Sequence, residues 1–254
     1  MAILKTQAFV LKRYDLRETS LLVNFYTRDF GKLTGEMKGI RKDPRKFAST
    51  VDSFSLNEIV FYQRRNSSVH LISQCDSCEH FGPLRESIPK IAAATVMMDL
   101  LDAVMPPEDK NPEIFDLTRD VLTALCTARD FDKLLTIFKI RVLSLSGFKP
   151  HLDSCVICGR KVFMQCKFSL KLGGLLCPHC LARDVQGRTI FRGTVATIMH
   201  IEKNTVGANL TLGMNPQIKR ELEAVLNAFL HFHVGKELKS QRVMQSLEQA
   251  GAFT

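Results

Sequence analysis

No stretch of this 254-residue chain is both long and apolar enough to suggest a membrane span. The longest run without a charged side chain, 204–218, is broken by Gly207, Asn209, Gly213 and Pro216. A secretory leader is not indicated either, because Lys5 and Lys12 fall where its apolar region would have to be continuous. The chain therefore reads as cytoplasmic. Low-complexity, collagen-like and mucin-like stretches are missing, and no internal repeat recurs at a solenoid period. With 45% hydrophobic and 24% charged residues, the composition is that of a globular chain able to bury a core without disulfide staples. The catalytic templates GxxxxGK[ST], HExxH, GxSxG and GxGxxG do not occur, and no pair of carboxylates marks itself as acid and base. The expectation is a protein that is not an enzyme.

What the chain does have is positive charge. Thirty-five Lys and Arg against 26 Asp and Glu leave a formal charge of +9. The surplus sits at the two ends, with 13 basic and 9 acidic residues in 1–80 and 13 against 7 in 151–254, while 81–150 is near balance with 9 against 10. A polyanionic partner fits this distribution, although many basic proteins use charge only for solubility.

Residues 1–80 carry the composition and punctuation of a small all-β unit. Strands are expected over 4–14, 21–27, 32–39, 54–63 and 69–74, with turn chemistry at Arg28-Asp-Phe-Gly31 and Arg64-Arg-Asn-Ser67. The longest connection, from Ile40 to Phe47, contains Pro44, which forbids a continuing central strand. After Pro83 the period becomes helical. Ile88, Ile91, Thr95, Met98 and Leu101 form one expected stripe, Ile114, Thr118, Val121 and Leu125 a second, and Phe131, Leu134, Leu135, Phe138, Val142 and Leu145 a third. Asn111-Pro112 and Asn215-Pro216 read as helix caps, the latter opening a stripe of Ile218, Leu222, Val225, Phe229 and Phe232. Lys236, Lys239 and Arg242 would share a face if the tail is helical. The three central helices are expected to form a bundle whose apolar faces pack on one another or on the β unit. The fold class is thus α+β: a five-stranded barrel of the oligonucleotide-binding (OB) type over 1–80, then a helical domain over 81–254 carrying an inserted metal-binding region at 151–192.

That inserted region holds the sharpest motif. Cys155-Val-Ile-Cys158 and Cys177-Pro-His-Cys180 are two CxxC pairs with 18 residues between them. Each CxxC turn converges two thiolates on one ion, and two turns supply the four sulfurs that Zn²⁺ takes tetrahedrally. Such a site is structural, since it keeps no open position for water. The competing reading is of reduced thiols without a metal; Cys166 could substitute for one ligand, and His151 and His179 read as ligands, nucleic-acid contacts or plain surface histidines. A third pair, Cys75 and Cys78, would face opposite sides of a regular strand, so a second metal site or redox dithiol there, even with His70 and His80 nearby, is the weaker reading. Cys126 reads as a small buried hydrophobe.

The cations of the β unit are organised by loops. Lys12, Arg13 and Arg17 end the first strand and enter its turn; Lys38, Arg41, Lys42, Arg45 and Lys46 fill the long connection; Arg64 and Arg65 form the last turn. In an OB barrel the first and last hairpin loops flank the strand-binding face, and a loop so dense in cations repels itself without a polyanion. Tyr14, Tyr26, Phe47 and Tyr62 are candidates for base stacking, with Tyr26 and Tyr62 reading alternatively as core or barrel surface.

These segments resemble a known family. Ala8-Phe-Val-Leu11, Leu22-Val-Asn-Phe-Tyr-Thr-Arg-Asp-Phe-Gly-Lys32, Lys38-Gly-Ile-Arg-Lys42, Phe54-Ser-Leu56 and Tyr62 are similar to the barrel of the bacterial RecO family of DNA repair proteins. Gly147-Phe-Lys-Pro-His-Leu-Asp153, the two CxxC pairs, Phe168-Ser169 and Gly173-Gly-Leu-Leu176 resemble its zinc-bearing region. The resemblance implies a recombination mediator that binds single- and double-stranded DNA, anneals complementary strands and, with RecR, helps load RecA onto DNA coated by single-strand-binding protein. It carries the DNA contacts chiefly to Lys38, Arg41 and Lys42, then to Arg13 and Arg17, and implies a nucleoid-associated location. Cys75, Cys78 and the segment 237–254 have no counterpart in it. A zinc-ribbon accessory protein acting on RNA or in transcription is the nearest rival, and a thiol-disulfide enzyme built on Cys75 and Cys78 lacks the βαβ setting it would need.

Overall fold

The computed structural model describes residues 2–43, 47, 51–64, 66–162, 166–235 and 238–249. Its contacts divide the chain into two compact units, Met1–Phe131 with Leu238–Thr254, and Asp132–Glu237.

The first unit is built on β1 (Ile3–Leu16), β2 (Ser20–Thr27), β3 (Gly31–Met37), β4 (Leu56–Tyr62) and β5 (Val69–Glu79). They close into a barrel in the order β1-β2-β3-β5-β4, with β4 returning to β1 and every pairing antiparallel except β3 with β5. This is the OB arrangement expected from the strand count. Alternation fixes the register: β3 buries Leu33, Gly35 and Met37 and turns Lys32, Thr34 and Glu36 outward. Val10, Val23, Phe25, Ile59, Phe61 and Ile72 fill the interior, and burying each such side chain contributes about 1.5–3 kcal/mol. A bulge between Val10 and Lys12 bends the long strand β1. Gly31 opens β3 at φ +64, and a Cβ there would meet the backbone of Asp109 at 2.4 Å, so the turn tolerates no side chain.

Helices α1 (Ile88–Val104) and α2 (Pro112–Thr127) belong to this unit, as does the last helix, α7 (Lys239–Gln249), which packs on α1. The α2 expectations hold: Asn111 accepts a hydrogen bond from the Ile114 N–H, and Ile114, Thr118, Val121 and Leu125 are buried. The α1 stripe needs correction. Ile88 and Thr95 are exposed, and the buried set is Ala93, Ala94, Val96, Met97, Met98, Leu100, Leu101 and Val104. A helix covered by β1, α2 and α7 buries most of its circumference, so one stripe does not describe it. The side chains of Lys239 and Arg242 are exposed on α7; Lys236 lies outside the described residues.

The second unit contains α3 (Phe131–Leu145) from its second residue on, a four-stranded sheet, α4 (Arg192–Lys203), α5 (Val206–Leu210) and α6 (Pro216–Val234). Of the two packings expected for the central helices, α1 and α2 take the one on the barrel, while α3 groups with the second unit. The sheet runs β6 (His151–Cys155), β8 (Gly174–Leu176), β7 (Cys166–Ser169), β9 (Arg188–Ile190) in that spatial order. On α6 the Asn215 cap holds, its side chain accepting from the Ile218 N–H. Leu222, Val225 and Phe229 are buried, but Phe232 is 53% exposed and leaves the stripe. Phe229 packs instead on Phe168 of β7, ring centroids 6.0 Å apart.

Candidate metal centre and nucleic-acid interface

The cations of the barrel fall into two groups. Lys12 is committed within the unit: its Nζ lies 3.0 Å from carboxylate oxygens of both Asp99 and Asp102 on α1. Burial opposes its charge, but the hydrogen bonds to Asp102 and Asp99 outweigh that and raise its pKa above the ordinary lysine value. Arg13 pairs with Asp52 at 3.1 Å, and Arg64 with Glu36 at 3.5 Å. The Arg64 backbone N–H donates to Nδ1 of His70 at 3.3 Å, and burial pushes that imidazole toward its neutral, accepting form.

A second set of cations gathers where the β1–β2 turn meets the start of the long connection. Arg41 bridges the two: its backbone N–H donates to the Thr19 carbonyl at 3.0 Å, its guanidinium donates to the Arg17 carbonyl at 3.3 Å, and it pairs with Asp15 at 3.4 Å. Arg17, Lys38 and Lys42 are exposed around it. Arg45, Lys46 and Arg65 lie outside the described residues. Of the aromatic candidates, Tyr26 and Phe47 are core residues, with the Tyr26 hydroxyl donating to the Asn111 carbonyl at 3.2 Å. Tyr14 is 50% exposed beside a solvent-open cleft of about 560 Å³ that Arg13 and Phe54 also line.

In the second unit the two CxxC pairs come together. The sulfurs of Cys155, Cys158, Cys177 and Cys180 all lie within 4.8 Å of one another, with Cys158 and Cys177 at 3.6 Å. Four ligands at about 2.3 Å from a tetrahedral ion would stand about 3.8 Å apart. Two knuckles hold them: Gly159 N–H donates to the Cys155 carbonyl and Cys180 N–H to the Cys177 carbonyl, each at 2.9 Å. The first knuckle closes through Gly159 at φ +70, and the second sits on a 3₁₀ turn, Pro178–Arg183.

The ionisation of these thiols shows why the set suits a cation. Burial works against a thiolate at Cys155, but backbone N–H groups of Cys177, Cys158 and Ile157 aim at its sulfur and bring it down to about 6. Cys180 is pushed up to about 12 by desolvation, by hydrogen bonds with the other three sulfurs and by the charge on Cys155. Protein groups thus stabilise one thiolate and oppose the next, and a divalent cation among the four removes that conflict. The residues present fit a tetrahedral thiophilic metal.

The competing ligands stand apart. Cys166 is buried on β7 with its thiol donating to the Ile190 carbonyl at 3.6 Å, His151 is exposed and bonded to Ser154 at 2.7 Å, and His179 is exposed. None joins the sulfur cluster. Cys75 is buried in the barrel and Cys78 is exposed on the same strand, opposite faces as the strand period requires. Sequence reasoning did not locate Asp99 and Asp102, the carboxylates that claim Lys12, because 87 and 90 positions separate each from it.

A closed OB barrel with a cationic rim, joined to a second unit carrying four convergent cysteines, defines a class: a β-barrel protein of the oligonucleotide-binding fold with a cysteine-ribbon module. Within that class the match is specific. Residues 1–81 fit the family model "Recombination protein O N terminal" and residues 85–242 fit "Recombination protein O C terminal". The chain belongs to the RecO family of DNA repair proteins. It is 32% identical over 256 residues to the DNA repair protein RecO of Syntrophus aciditrophicus, covering 97% of each chain. It is 29% identical over 243 residues to that of Syntrophobacter fumaroxidans, covering 95% of this chain and 96% of the relative. The corresponding protein of Moorella thermoacetica is 28% identical over 247 residues, 96% of this chain and 91% of the relative.

Proposed function

We propose that this protein is a non-enzymatic recombination mediator. It binds single- and double-stranded DNA, anneals complementary strands and, with RecR, assists loading of RecA onto DNA coated by single-strand-binding protein, which places it at the nucleoid. The observation that carries the reading is the cluster of Arg17, Lys38, Arg41 and Lys42 on one rim of an OB barrel, in a chain of this family. Their mechanism is electrostatic. Cations between two sugar-phosphate chains reduce the repulsion that opposes pairing, and the counterions they displace make binding salt dependent. No covalent bond is made or broken.

Zn²⁺ is the ion proposed for Cys155, Cys158, Cys177 and Cys180, because it prefers a tetrahedral sulfur shell and carries no redox chemistry into a DNA-bound protein. Bound there it would cross-link two knuckles whose own apolar core is small, chiefly Cys155, Leu176 and Cys177 with Val156, Val162, Leu172 and Leu181 around them.

The test is strand annealing on DNA precoated with single-strand-binding protein, with and without RecR, and with metal content measured on the same sample. Annealing of the coated strands supports the mediator reading. Annealing of naked strands alone removes the mediator role, and preference for RNA over DNA of the same sequence moves the protein to the RNA-binding class.

A further inference from the structure

The second unit holds a concentration of charge that the barrel reading does not use. Between His151 and Arg192 stand seven lysines and arginines and two acidic residues, Asp153 and Asp184. Asp184 is occupied internally, one oxygen accepting from the Ser169 hydroxyl at 2.6 Å and the other from the Gln186 N–H at 3.0 Å. The barrel treats its cations differently: Lys5, Lys12, Arg13, Arg28, Lys32, Arg41 and Arg64 each have a carboxylate partner. Among the described residues no ion pair or side-chain hydrogen bond engages Arg160, Lys161, Lys167, Lys171, Arg183 or Arg188. The undescribed residues of this span, 163–165, are Phe, Met and Gln and bring no counter-charge.

These six stand on a small scaffold. Arg160 and Lys161 leave the first cysteine knuckle, Lys171 lies in the β7–β8 turn, and Arg183 ends the 3₁₀ turn of the second knuckle. Lys167 and Arg188 occupy the paired strands β7 and β9 but, opposing Thr189 and Phe168 respectively, lie on opposite faces of the sheet, so Lys167 does not belong to the surface. All but Lys167 are exposed. Four thiolates around a divalent ion carry a formal charge of −2, which offsets only part of this surplus. Exposed apolar side chains accompany it, Ile157 at 44% and Val185 at 84%, suited to lie against sugars or bases once a phosphate chain is held.

We infer that the four-cysteine module is a second phosphate-binding surface that takes a DNA strand of its own, so that each chain carries two strand sites, one per unit. The inference rests on the annealing reading and gives it a physical basis. Two strands are brought together by one molecule, and the sulfur-bound ion keeps the second surface in shape.

The test titrates short fluorescent oligonucleotides into the full-length protein at low salt and counts strands per chain. Three proteins are compared: the parent, a module variant (Arg160→Ala, Lys161→Ala, Lys171→Ala) and a barrel variant (Arg17→Ala, Lys38→Ala, Lys42→Ala). The expected counts are two for the parent and one for each variant, with annealing lost in both. Loss of three phosphate contacts lowers the logarithmic salt slope at the affected site by about 2. Metal per chain is measured throughout, and Arg183→Ala with Arg188→Ala, farther from the first knuckle, replaces the module variant should that one lose metal. A module variant with full metal, an unchanged strand count and unchanged annealing overturns the inference. A parent that binds one strand, released by the barrel variant, overturns it while leaving the barrel reading intact; a parent that binds none removes both.

Discussion

Arg17, Lys38 and Lys42 are barrel positions at which a charge deletion tests the proposed phosphate contacts. All three are exposed. Arg41 is a poorer choice, because its backbone and guanidinium tie the long connection to Thr19, Arg17 and Asp15, so its removal would also loosen the loop. Each phosphate neutralised on a single strand contributes about 0.7 to the slope of log affinity against log salt. A fourfold rise in salt therefore weakens binding by about 2.6-fold per contact, and by about 20-fold for three. The advantage of the parent over the triple alanine variant should shrink by that factor across the same range. It should shrink equally for oligonucleotides of different sequence, because phosphate contacts do not read bases. Fluorescence anisotropy of a labelled strand through a salt series measures both, with thermal unfolding as the check on the fold. Parallel lines for parent and variant would refute the assignment of these side chains to the phosphate backbone.

Other consequences follow from the geometry. Gly31→Ala places a Cβ against the Asp109 backbone at a positive φ; it should destabilise the first unit by at least about 1–2 kcal/mol, read as a lower urea midpoint. Asp102→Asn deprives Lys12 and Lys32 of a shared carboxylate and should cost about 1–3 kcal/mol at neutral pH. Burial opposes ionisation of Asp102, yet the Lys12 hydrogen bond and the charge of Lys32 hold its pKa below the usual value. Its contribution is thus present above about pH 4 and lost as pH falls through the lower folded value, so parent and variant stabilities should converge in acid; a constant gap from pH 7 downward counts against the ion pair. Chelation or Cys177→Ser should open 151–192 to proteolysis while barrel fragments stay resistant, and uniform resistance after metal loss would show that the small core suffices without it.

How much of this was legible in the sequence depends on the range over which each feature is determined. The CxxC knuckles, the Asn111 and Asn215 caps and the Gly31 turn are fixed within a few residues, and the structure has them where the spacing put them. Strand β5 was expected to stop at Gln74 but continues to Glu79, because pairing with β4 carries the polar run Asp76-Ser77 that has no strand pattern of its own. The strands of the cysteine module are three to five residues long, too short for alternation to register. The α1 stripe failed because coverage from three directions leaves no single face to read. The pairing of Lys12 with Asp99 and Asp102 spans most of a hundred positions and is created only when α1 lies along β1.

The return of α7 to α1 makes the chain's second unit an insertion within its first. During synthesis the inner unit is made before the outer one can be sealed, since Leu238–Thr254 follow it in the chain. Until then the face of α1 that α7 covers stays open to water or to a chaperone. A premature stop just before Leu238 would therefore injure chiefly the first unit, although its barrel precedes the stop by most of two hundred residues.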